Sequence, residues 1–167
     1  RSVPGADPRT APGGAARLQP AIAFAEAKGR LALPVEGEVA TRFGEDDGTG
    51  APSRGIGLRT RPESPVTAPC DGTVQYAGPF RSYGQLLIIN GGGGYHVVLA
   101  GMDRIDVEPG QFVLAGEPVG RMGSRGVAAS KSDDTGRPVL YVEFRKDSAS
   151  IDPTPWWART RDEKVRG

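Results

Sequence analysis

From Leu31 onward the chain alternates short apolar runs with turn residues, a pattern that belongs to strands rather than helices. Segments 31–35, 37–43, 64–69, 72–78, 85–90, 95–101, 105–113 and 138–145 read as strands or strand ends. The glycine run Gly91–Gly94 between two of them predicts a hairpin connection, since glycine accepts positive φ without strain. Regular spacing with little helix predicts an all-β fold, an antiparallel sheet or sandwich. In segment 138–145, alternation turns Leu140, Val142 and Phe144 toward a core and Val139, Tyr141, Glu143 and Arg145 to the other face.

Only residues 17–28 follow a helical pattern, with Leu18, Ile22 and Ala25 on one stripe and Phe24 at its edge. Pro20 suits a first turn and Gly29 a stop, so 17–30 is expected to be a short helix and its connection. Residues 1–16 hold three Pro, three Gly and Val3 as their one large aliphatic residue, which predicts a disordered linker or tail. Residues 31–158 form the expected domain, and 159–167 a solvated tail whose neighbour, Pro155-Trp156-Trp157, is expected to pack over a sheet edge. The start at Arg1 rather than Met predicts a fragment or processed product.

Composition narrows the function classes. Twenty-five glycines and 15 prolines disfavour a helical bundle. With 21 basic and 20 acidic residues the net charge is +1, so no nucleic-acid partner is expected. The single cysteine, Cys70, excludes an internal disulfide, and the single histidine, His96, excludes any two-histidine metal site. His96 lies in an alternating strand and reads as a surface or hydrogen-bonded residue; Cys70 reads as a small, half-buried residue before a turn.

The segments GEVATRFG, SRGIGL, SPVTAPCDGTVQYAG, YGQLLIINGGGGYHVVLAG, VEPGQFVLAGEPVGRMG, RPVLYVEFR and IDPTPWW, in order over residues 31–157, resemble the LytM domain of lysostaphin-type zinc endopeptidases. Those enzymes cut peptide crosslinks of bacterial cell walls. The resemblance fails at the catalytic positions. Active members resemble H-x-G-x-D where this chain has Ser53 to Gly57, so a ligating His becomes Ser53 and a ligating Asp becomes Gly57. The transition-state His becomes Gly101, and the H-L-H pair of base and ligand becomes Val139 and Tyr141. The pattern is similar to the EnvC-type murein hydrolase activators, including the final strand from Arg137 to Arg145.

The resemblance implies a zinc-free, cofactor-free domain that is not an enzyme. It implies a periplasmic protein that binds and activates a zinc-dependent N-acetylmuramoyl-L-alanine amidase in cell division or daughter-cell separation. The residues expected at the vacant groove are Arg54, Tyr83, Tyr141, Glu143 and Arg145. Tyr and Arg are the side chains that dominate binding hot spots, although a solvated face with a Glu/Arg pair fits the same alternation. A peptidoglycan-binding module without an enzyme partner is the alternative. The family also implies an upstream coiled coil, through which a division-complex membrane protein would be contacted.

Overall fold

The structure, a computed structural model, describes residues 23–46, 50–80, 84–124 and 136–158. Both expected tails, Leu18, Ile22 and Tyr83 lie outside the described residues. In chain order the strands are β1 (Gly37–Thr41), β2 (Ile56–Thr60), β3 (Pro65–Thr67), β4 (Gly72–Pro79), β5 (Gln85–Gly92) and β6 (Tyr95–Met102). They continue with β7 (Arg104–Ile105), β8 (Phe112–Val113), β9 (Pro118–Arg121), β10 (Val139–Lys146) and β11 (Ala149–Ile151). One sheet has the order β1-β2-β10-β6-β5-β4-β8, with β11 added to β10; a second has the order β3-β9-β7. Every pairing between these strands is antiparallel, as the sequence pattern predicts.

Strand β10 organises the large sheet. It pairs with β6 along Tyr141–Lys146, while its other edge is shared by β2 at Val139–Val142 and by β11 at Phe144–Lys146. Leu140, Val142 and Phe144 are fully buried, and so are Leu58, Leu87, Ile89, Val97 and Leu99 of the neighbouring strands. Val66 and Val119 of the small sheet join the same apolar cluster. The alternation read in segment 138–145 therefore assigns the core face correctly.

The turn joining β5 to β6 is Gly93-Gly94, with φ of +64° and +87°, the left-handed backbone that a two-residue hairpin of this hand requires. Other expectations change. Segment 105–113 breaks after β7 and resumes at β8, because Glu108 to Gly110 form a turn closed by the Gln111 N–H donating to Glu108 O at 3.1 Å. Strands β9 and β11 carry too few residues, four and three, for alternation to reveal them.

Within the described part of 17–28, the helical element is a single 3-10 turn, Phe24–Ala27. Its buried residues are Phe24 and Ala27, whereas Ala25 is exposed. A three-residue turn sets i and i+3 on one side, so the stripe shifts from the one an α-helix would present. Phe24 stands edge-on to Phe144 at 5.2 Å, stacks on Tyr95 at 4.7 Å and lies 5.7 Å from Trp156. The Trp156 indole donates from Nε1 to Phe24 O at 3.1 Å, and Leu31 N–H donates to Trp156 O at 2.9 Å. Trp156 is thus buried in the apolar cluster, and it laces residues 24–31 to the end of the described chain.

Candidate functional site

Residues paired directly across antiparallel strands point to the same face. Registers Tyr141↔Gly57, Tyr141↔Ala100, Glu143↔Val98 and Arg145↔His96 place these side chains together on the face opposite the core, with Ile88 of β5 beside Val98. Four of the five positions expected to differ from the enzymes, Gly57, Gly101, Val139 and Tyr141, lie close together at one end of the sheet. Tyr141 pairs with Gly57, a Cβ added to Gly57 would lie 3.1 Å from Val139 Cγ1, and Gly101 follows Ala100.

Each of the five has a structural occupation. Ser53 is buried and tied to its own loop, its Oγ donating to Gly55 O at 2.8 Å. Gly57 leaves the space over which Val139 and Thr41 close. Gly101 sits where the β5–β6 register slips between Gln85 and Leu86, with φ of +109°, so it is the extra residue of a bulge. Val139 is buried. Tyr141 donates its hydroxyl to Glu143 Oε1 at 2.7 Å. Gly57, Gly101 and Val139 offer no donor atom, and the Ser53 and Tyr141 oxygens are engaged, so this set does not fit a zinc ion. Among the described residues no group of three or more His, Cys, Asp or Glu is placed to hold a metal.

Strand β10 does not form the solvated Glu/Arg face that alternation also allowed. Glu143 is only 6% exposed, and its two oxygens accept from three donors. The Tyr141 hydroxyl donates to Oε1, while Arg145 Nε at 2.6 Å and Ser150 Oγ at 2.9 Å both donate to Oε2. Glu143, expected as a contact residue, therefore lies beneath the surface. Burial, and then the hydrogen bond to Glu143, push the Tyr141 phenol well above its ordinary pKa, while Arg145 and Arg54 pull it down. The Arg54 charge thus reaches Tyr141, and Arg54 itself is exposed. Gly55 makes room for the ring: a Cβ there would stand 3.0 Å from Tyr141 Cζ and would clash with Val142 O. Ser150 is the member that sequence reasoning missed; its signal was the register Arg145↔Ser150 of a hairpin too short to read.

His96 is half-buried beside Arg145 on this face, and Cys70 is buried, its thiol pushed up to about 12 by burial and then by Asp71. Neither joins a cluster of ligands among the described residues.

The model of Peptidase family M23 matches residues 51–153, and the chain belongs to that family. The chain is 29% identical over 132 residues to the murein hydrolase activator EnvC of Escherichia coli, covering 79% of this chain and 30% of that one. It is 30% identical over 137 residues to the cell division protein DipM of Caulobacter vibrioides, covering 78% of this chain and 21% of that one. The fold is also that of lysostaphin, the antimicrobial peptidase of Staphylococcus simulans, with a TM-score of 0.61, 20% identity, and coverage of 72% of this chain and 50% of that one. The chain spans less than half the length of the first curated relatives it matches. It is therefore a LytM-type domain of the M23 family whose relatives include named murein hydrolase activators.

Proposed function

We propose that this domain is not a peptidase but the activating part of an envelope protein that binds an N-acetylmuramoyl-L-alanine amidase and switches it on. The observation that carries the reading is the fate of the five positions. Ser53, Gly57, Gly101, Val139 and Tyr141 take structural roles inside an otherwise complete family fold, and none is left as a free ligand. A fold kept without its ligands suits recognition, and the named activators among its relatives support the same direction.

Binding occurs on the outer face of the large sheet around Tyr141, Arg145 and Arg54. The amidase offers a segment that blocks its own zinc site, and this face takes that segment away. Inverting a closed-to-open equilibrium of 1:99 needs about 5.5 kcal/mol of preference for the open form. The location is the periplasm, in cell division or daughter-cell separation.

The test is amidase binding, measured by interferometry, with Tyr141→Ala and Arg54→Glu. Both variants should keep the far-UV spectrum and lose binding at least tenfold. Arg54 is exposed, so charge reversal there reports on the partner rather than on the fold. Undiminished affinity in both variants refutes this face as the contact. Affinity for purified wall in the absence of amidase, with none for the amidase, would select the peptidoglycan-binding reading instead.

A further inference from the structure

Glu143 is a buried carboxylate on a face that strand alternation turns away from the core. A buried charge is costly unless it is paired and hydrogen-bonded, and Glu143 is both. An ionised carboxylate can only accept, so all three of its neighbours must donate to it. That requirement fixes the direction of each bond. The Tyr141 hydroxyl hydrogen points inward to Oε1, which leaves its phenol oxygen to meet a partner as an acceptor. Arg145 commits Nε to Oε2, while its side chain stays 41% exposed with both Nη groups beyond that bond. The β10–β11 hairpin supplies the third donor: its turn residues Asp147 and Ser148 have φ of +51° and +74°, and register then sets Ser150 opposite Arg145.

We propose that Glu143 is a positioning residue for the outer face: it turns the Tyr141 hydroxyl into an acceptor and fixes where Arg145 presents its remaining N–H donors toward the bound protein segment. The segment it selects brings an N–H or O–H to Tyr141 and a carboxylate to the guanidinium groups of Arg145 and Arg54. Glu143 touches no partner atom. It acts through Tyr141 and Arg145, which separates it from the contact residues among which it was first expected. The partner half of this inference rests on the amidase-activator reading above; the positioning half does not.

Two measurements on the whole 167-residue chain test it. The first is the arginine Nε–H spectrum of isotope-labelled protein. The Arg145 signal should stand downfield of free arginine with slow exchange, and Glu143→Gln should return it to the free position while the backbone amide spectrum persists. A wild-type Arg145 signal already at the free position overturns the proposal without any variant, as does a downfield signal unmoved by Glu143→Gln. The second is a double-mutant cycle read as amidase affinity. Glu143→Gln should lose at least tenfold in the wild-type background and less than about twofold in Tyr141→Phe/Arg145→Ala, because its effect passes through those two residues. A full loss in both backgrounds overturns it. If the wild-type chain binds no amidase, the functional reading falls, and the arginine spectrum still decides the role of Glu143.

Discussion

At the scale of single residues, the five positions expected to carry chemistry are occupied by packing, turns and internal hydrogen bonds. Tyr141 stands where an active relative would be expected to carry a zinc ligand, yet its oxygen serves Glu143 at 2.7 Å. Tyr141→Phe removes one of three donors from a buried carboxylate and should cost about 1–3 kcal/mol in urea unfolding. Gly101 stands where the resemblance implies a histidine in active members. Its φ of +109° is glycine territory, so Gly101→His is expected to cost about 1–3 kcal/mol, visible as a lower urea midpoint at unchanged m-value. Cys70 gives a pH signature. Its folded pKa is about 12 against 9.0 for the free thiol, so the folded state holds its proton longer. That contribution is fully present below pH 9 and is lost between 9 and 12, as the unfolded state ionises first. The decline of stability over that window should be shallower in Cys70→Ala than in the wild type.

At the scale of elements, the long strands were legible and the short ones were not. Strand β10 runs eight residues, enough for Leu140, Val142 and Phe144 to declare a core face by alternation. The same alternation said nothing of depth on the other face, where Glu143 is covered because Tyr141, Arg145 and Ser150 close over it. Those contacts bridge two strands, and Ser150 enters from β11, which has only three residues. In the N-terminal segment the described residues bear out a short helical element but not Ala25 as a buried position. The expected short helix is described only from Ala23, where Phe24–Ala27 form one 3-10 turn that brings Phe24 against Tyr95, Phe144 and Trp156. Phe24 packs on the core side of β10, opposite to Tyr141, so this part of the segment is committed to the domain. Phe24→Ala is expected to destabilise by about 3–5 kcal/mol and to leave amidase affinity of the folded protein unchanged. A gain in affinity on that substitution would show that the segment restrains the binding face instead.

At the scale of the whole molecule, the M23 fold has its two sheets, its hairpins and its core, and the positions where ligands were expected carry residues that support the sheet. The expected product is a recognition surface in which Tyr141 is flanked by the charges of Arg54 and Arg145. The most direct measurement is release of dye from labelled cell wall by the domain alone, by a zinc amidase alone, and by the two together. The domain alone should release nothing, the amidase alone little, and the mixture severalfold more, with stimulation lost in Tyr141→Ala. Chelator-sensitive release by the domain alone, or equal release with and without it in the presence of the amidase, would contradict an activator without its own chemistry.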